Sequence, residues 1–456
     1  MMEIEDKRVK KRRVFNRLTW AHVLLLFFLL IVITLAFYRL NLRRKLESRL
    51  KTIRTEGYPV TLGELNQWYS IPADTENSAY YIMDAMDYYN EPEAESNLPV
   101  IGDAKLPDRT ETMSREMKKG ISEFLDNNQK SIEFLHKTAD LENGCYPVDF
   151  SLGMGTRTPH INNMRHMAQL LQLEAVQASE DRNEEVVIRS IKSILGVAGS
   201  LNKEPITISQ ALRLACDQNA VATLEYALNR IAFSDEQLVE LNKAFTKAEN
   251  LNGIFNSFLG ERCIVLDILM HPRPFYFDQK NAVAFPGVLL AYKVAGVNER
   301  DSMILLDEVE DAICIYSLPA HKRMQAANAL NAKIASITKE HVLLHHALPL
   351  FGNSIVIDLR NLARLRTAQA AIAVERHRLK NNKLPNSLDN LVPDYFESIP
   401  LDPFDGQHIR YKKLDSGYLI YSIGDDKIDD GGKERSQESK KSGSTWDITF
   451  ILEKTD

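Results

Sequence analysis

The fold is decided by the stretch Leu384-Pro385-Asn386-Ser387-Leu388, followed by Leu391-Val392-Pro393 and Asp402-Pro403-Phe404-Asp405-Gly406. Asp402-Pro403 suits the first two positions of a tight turn, since Asp accepts a local amide and Pro presets φ. Strand-like runs follow at Ile409/Tyr411 and at Tyr418-Leu419-Ile420-Tyr421, joined by the turn Asp415-Ser416-Gly417. A further run spans Trp446-Asp447-Ile448-Thr449-Phe450-Ile451. These predict a small antiparallel sheet of three to four strands, which needs a helix over one face to persist in water.

That helix lies immediately upstream. From Ile355 to about Asn382, Leu362, Leu365, Ala368 and Ile372 recur at i, i+3/i+4 spacing, and Leu379 completes the stripe. Arg360, Arg366 and Arg378 fall on other sides, while Arg376 lies within the stripe, where its stem can pack and its head reach water. Residues 355–456 therefore form a predicted α+β module, a long helix packed on the sheet.

The module resembles the globular part of type II secretion G-type pseudopilins. The resemblance rests on Arg376-His377-Arg378-Leu379-Lys380-Asn381-Asn382-Lys383-Leu384-Pro385, Leu388, Leu391-Val392-Pro393 and Asp402-Pro403-Phe404. It continues through Tyr421-Ser422-Ile423-Gly424-Asp425, Gly431-Gly432 and Asp447-Ile448, covering about a fifth of the chain. It implies a calcium-binding loop between the second and last strands, with Asp425, Asp430 and Asp447 as ligands and Asp426 and Asp429 as alternates. The chain departs from the family in lacking a prepilin-peptidase site before its apolar N-terminal run. Some 320 residues separate that run from the helix, and Lys433 to Thr445 is an insertion. The resemblance therefore reaches a module and not fibre assembly. The whole chain also looks like large bacterial membrane-anchored proteins with a helical body and this type of tail.

Read without the resemblance, the loop offers carboxylates and glycine-freed carbonyls, which calcium wants in sets of six to eight oxygens. An exposed acidic turn without an ion fits the same residues. An EF-hand does not, since from Asp426 the third position is Ile428 and the twelfth Gln437.

Upstream, residues 111–350 are helical in pattern almost throughout. Ile121, Phe124, Leu125, Ile132 and Leu135 keep helical spacing, as do Met164, Met167, Leu170, Leu171 and Leu173, then Val187, Ile191, Ile194 and Leu195. Short connections between amphipathic segments imply antiparallel helix pairs. Ser234-Asp235-Glu236-Gln237 is a capping box, and His271-Pro272-Arg273-Pro274 stops the helix before it. Residues 39–110 read as a connecting region with short helices, one opened by Thr61-Leu62-Gly63-Glu64 and one from Glu76 to Tyr89.

The N-terminal end has a different character. Residues 1–54 carry a net charge of +10 and the remainder −16, so the acidic bulk argues against nucleic acid as a partner. Residues 1–19 form a basic tail. Residues 20–38 enclose the apolar run Val23–Ile33, close to the roughly 20 residues that cross a hydrocarbon core, with Trp20 and Tyr38 at interfacial positions. Thr34-Leu35-Ala36-Phe37-Tyr38-Arg39 has no small-x-small cleavage site, which reads as a retained anchor. Basic residues number seven on each side. A short tail before a large acidic body favours a cytoplasmic N-terminus and extracytoplasmic C-terminal domains, in a bacterial inner membrane.

Catalytic candidates are few. Glu340-His341-Val342-Leu343-Leu344-His345-His346 sets His341 and His345 one helical turn apart, a spacing that suits a metal as well as packed or solvated helix-end histidines. His160 and His166 pair less well. Glu261, Arg262 and Asp267 place charge in an apolar helix, which reads as a buried structural ion pair before an acid/base dyad. Cys145, Cys216, Cys263 and Cys314 form no CxxC pair, and three lie in apolar helical stretches, where buried free thiols are expected. No nucleophile elbow or phosphate loop is present, and no small-molecule substrate is evident. The sequence thus predicts a mainly α, single-pass membrane-anchored structural or interaction protein with a calcium-stabilised module, associated with secretion or the envelope. A membrane-tethered hydrolase using a metal at His341/His345 is the alternative.

Overall fold

The computed structural model describes residues 2–71, 75–92, 97–141, 143–272, 292, 294–337, 341–434 and 445–453. Arg273-Pro274, Glu340 and most of the Lys433–Thr445 insertion lie outside these. The chain is mainly helical, ending in a three-stranded antiparallel sheet. The helices are α1 (Met2–Thr55), α2 (Leu62–Trp68), α3 (Ser78–Asp87), α4 (Arg115–Asn127), α5 (Gln129–His136), α6 (Ile161–Glu180) and α7 (Glu184–Ser200). There follow α8 (Thr207–Leu228), α9 (Asp235–Glu249), α10 (Gly253–Met270), α11 (Val297–Tyr316), α12 (Ala320–Ala335), α13 (Val342–Ala347) and α14 (Phe351–Asn381). Strands β1 (Arg410–Leu414), β2 (Gly417–Ser422) and β3 (Ile448–Glu453) close the chain.

One helix among the described residues, α1, is long and apolar enough to cross a membrane, and none of that apolar window is buried inside the protein. Beyond it the same helix docks on α11, where Leu46 joins a core with Leu305, Leu306 and Val309.

Local chemistry sets the starts of the helices that follow. Ser234 caps α9 in a full capping box with Gln237. At α2 the Thr61 hydroxyl accepts the Glu64 amide, but the Glu64 carboxylate reaches one residue further back, to the amide of Val60 at 2.8 Å. Helices α6, α7 and α8 pack against one another, with Met164, Leu171, Ile191, Ile194 and Leu224 in a single apolar core.

Helix α14 differs from the one-sided stripe the sequence suggests. It begins at Phe351, four residues earlier than expected, and every residue from Thr367 to Glu375 is buried. Alanines and a threonine surround Ile372, so α8, α9 and α12 approach this helix while β2 and β3 also contact it. Leu379 is 40% exposed and does not complete the stripe. The arginines anchor the flanks: Arg366 pairs with Glu249 at 2.9 Å and Arg376 with Asp235 at 2.7 Å.

In the sheet, β2 is central, with Tyr418 opposite both Lys413 and Leu452. The Tyr418 hydroxyl donates to the Ala371 carbonyl of α14 at 3.3 Å. β3 starts at Ile448 and not at Trp446, because the Asp447 amide donates to the Lys433 carbonyl at 2.9 Å and stays in the preceding loop. The outer edge of β3 is satisfied by side chains of the last turn of α8 and its C-cap. Asn229 bonds the Ile451 carbonyl at 2.9 Å and the Glu453 amide at 2.8 Å, and Glu225 accepts the Ile451 amide at 3.2 Å. An unpaired strand edge is thereby closed.

Candidate functional site

The loop between β2 and β3 is built on the turn that the sequence singled out. The Asp402 carboxylate is fully buried and accepts from the Phe404 amide at 3.0 Å, the Ser422 hydroxyl at 2.9 Å and the Ile423 amide at 3.0 Å. Arg410 donates to Asp402 and to Asp405, and lies 3.8 Å from Asp429. The start of the loop at Ile423 is thus tied to the Asp402 turn.

Among the described residues of the loop, Gly424 (72°), Lys427 (59°), Gly431 (71°) and Gly432 (85°) turn the backbone through positive φ. At Gly432 a side chain would also strike Leu419, so glycine is required on two grounds. Asp426 and Asp429 each accept the amide two residues on, Ile428 and Gly431, both at 3.0 Å, which folds the loop locally.

The five predicted carboxylates fall into separate roles. Asp425 faces α14, where Arg360 grips both its oxygens; burial pushes the other way, yet Arg360 holds this carboxyl below its ordinary value. Asp447 is 2% exposed and accepts the Gly432 amide through Oδ2 at 2.7 Å, while its Oδ1 is buried with no partner. Asp430 accepts the Thr445 hydroxyl at 3.0 Å through Oδ1, and its Oδ2 is likewise buried and unpartnered. Burial first, and the nearby charges of Asp429 and Asp430, raise the Asp447 carboxyl above its usual value. Asp430 and Asp447 are therefore brought together, with Asp429 beside them, and Asp425 is turned away. Among the described residues, no group of three or more His, Cys, Asp or Glu side chains is placed to hold a metal ion, so a cation here would draw on two carboxylates, backbone carbonyls and water.

The histidines are dispersed. His341 precedes α13 and its Nδ1 lies 2.7 Å from Asp301 Oδ1. The His345 and His346 rings meet edge-on with centroids 5.4 Å apart. His160 is buried with its Nε2 3.0 Å from Glu204, whereas His166 stacks on Tyr89. No family model, curated protein or solved structure matches the chain.

Of the charges in the apolar helix α10, Glu261 and Arg262 do not pair with each other, and Asp267 lies 3.0 Å from His271 Nδ1. Arg262 donates to the Pro59 carbonyl at 2.7 Å and Glu261 accepts the Thr207 amide at 3.1 Å, so each side chain turns to a backbone group. Cys216 and Cys263 are buried as expected, whereas Cys314 is exposed.

A second polar centre escaped the sequence reading. Arg213, 1% exposed, donates to Gln210 at 2.8 Å and to Asp217 at 3.2 Å, and approaches Asp358 at 3.8 Å. Asn361 of α14 donates to the same Asp217 oxygen at 3.0 Å. Arg213, Asp358 and Asn361 border a cavity of about 300 Å³ that Tyr316 and Arg323 also line. Burial pushes the Asp217 carboxyl up to about 6, against the pull of Arg213. The signal was present as a charged i, i+4 pair, Arg213 and Asp217, flanking Leu214-Ala215-Cys216.

Proposed function

We propose that the chain is a single-pass inner-membrane protein with a cytoplasmic N-terminus. Its extracytoplasmic helical body carries a pseudopilin-like module stabilised by calcium. Its role is structural or interaction-based, in secretion or the envelope. Supporting the anchor is the exposed apolar window of α1. The module is the part from α14 onward, with the helix backing the sheet. The observation that carries the calcium reading is the pair of buried, unpartnered oxygens, Asp430 Oδ2 and Asp447 Oδ1, on two carboxylates of one glycine-bent loop whose charges act on each other. Buried carboxylate oxygens without donors are costly, and a divalent cation removes that cost. Asp430 and Asp447 would hold the ion.

With calcium at a hundred times its dissociation constant, about 2.7 kcal/mol of added stability is expected, read as a raised unfolding midpoint against chelator. Asp447→Asn should abolish the increment. The pH dependence has a definite sign. A carboxyl raised on folding contributes stability below its unfolded value and loses it as pH rises through the folded value. The calcium-free protein should thus gain stability on mild acidification as Asp447 takes a proton. The calcium-loaded protein should lose its increment over the same range, because the proton competes with the ion.

Topology has its own test. A phosphatase reporter fused after Asp456 should be active outside the cytoplasm; activity confined to the cytoplasm contradicts the orientation. No specific contact favours the hydrolase alternative, since Asp301 engages His341 and no described carboxylate or histidine completes a metal set with His345.

A further inference from the structure

Helix α1 continues without Gly or Pro from Tyr38 to Thr55, so nothing in the sequence hinges it where the apolar span ends. The first break is at Gly57, with φ of 86°. The body attaches to this helix at once. Arg39, one residue past Tyr38, lies 3.2 Å from Glu299, and a Cβ on Gly296 would sit 3.3 Å from Leu42 and 3.5 Å from Arg39. Ten residues on, Arg49 pairs with Asp307 and Glu310. The order of these contacts makes α1 and α11 parallel, so the start of α11 is its membrane-proximal end.

The heights follow from helix rise. Leu42 stands four residues beyond Tyr38, roughly 6 Å along the axis. The headgroup layer on each face of a bilayer is about 5–7 Å thick. The first turn of α11 therefore falls within that layer. The side chains there suit it: Val294 is 50% exposed and Leu40 is 46% exposed, Arg43, Arg44 and Lys45 follow Leu40 within the next turn and a half of α1, and the half-exposed Arg300 closes the segment that Val294 begins. Exposed apolar side chains followed closely along the chain by Lys and Arg match the boundary between acyl chains and anionic phosphates.

We propose that the segment entering α11, from Val294 to Arg300, is a second membrane contact. It seats the body in the anionic headgroup layer and fixes its height and rotation on the bilayer. This rests on the reading that residues 20–38 cross the membrane.

The test uses the full chain in vesicles of phosphatidylethanolamine and phosphatidylglycerol, with Cys145 and Cys314 replaced by serine. An environment-sensitive fluorophore is placed on Val294→Cys or, separately, on Leu29→Cys. Lipids carrying a nitroxide on the headgroup should remove most of the emission at position 294, and lipids with a deep acyl nitroxide should do so at position 29. Quenching at 29 with none at 294 overturns the seating and leaves the span intact. Quenching at neither position overturns the span and the seating with it. Arg300→Glu should weaken headgroup quenching at 294 while leaving position 29 unchanged; equal quenching in that variant overturns the role of the basic residues.

Discussion

Asp402→Ala is expected to unfold the C-terminal sheet, lowering its stability by about 3–5 kcal/mol. The carboxylate serves two buried amides, Phe404 and Ile423, and the Ser422 hydroxyl, while also receiving Arg410. Removing it leaves three buried donors unpaired, each costing about 1–3 kcal/mol before relaxation. It also frees the start of the candidate ion loop from the turn that holds it. Amide exchange in β2 is the readout, since Tyr418, Leu419 and Ile420 are buried at the sheet centre. Asp402→Asn keeps one acceptor oxygen and should fall between the two. Unchanged protection of β2 in the alanine variant would refute this role.

Arg213→Ala should cost the helical body about 3–5 kcal/mol, the range for removing one partner of a buried charge cluster. Asp217 and Asp358 would face each other's field without the Arg213 charge between them, and Gln210 would lose the Arg213 donor. Denaturant midpoint measures the loss. Its pH dependence distinguishes this cause from lost packing. Asp217, already pushed up to about 6, loses the charge that pulls it down, so the variant should recover stability on acidification more steeply than the parent. Arg213→Met combined with Asp217→Leu should restore much of the loss, because apolar replacement of a buried pair is often tolerated. A pH-independent deficit would contradict the electrostatic account.

What the sequence made legible follows from how strongly each signal is patterned. The apolar run from Val23 to Ile33 and the turn at Asp402-Pro403 are set by composition and local sterics, so no neighbour can alter their reading. The ends of β3 are not local: Asp447 alternates like a strand residue, but the long-range bond from its amide to Lys433 places it in the loop. The full burial of α14 is hidden for a related reason. Ala363, Ala368, Ala370, Ala371 and Ala373 carry little periodic signal, and their small size is what lets neighbouring helices close in. Arg213 and Asp217 look like an exposed helix pair because charge is normally outside; their burial depends on α14 delivering Asp358 and Asn361 from far along the chain. Of the five carboxylates named for calcium, the resemblance set Asp425, Asp430 and Asp447 as ligands and Asp426 and Asp429 as alternates. Only the fold separates Asp425, held by Arg360, from Asp430 and Asp447, each with a buried unpartnered oxygen.

The central claim is the ion in that loop, and calorimetric titration of calcium into the chelator-treated full-length protein in detergent tests it most directly. The account predicts one saturable site per chain, retained in Asp425→Asn and lost in both Asp447→Asn and Asp430→Asn. Absence of binding heat, or a site that survives both losses, would contradict it.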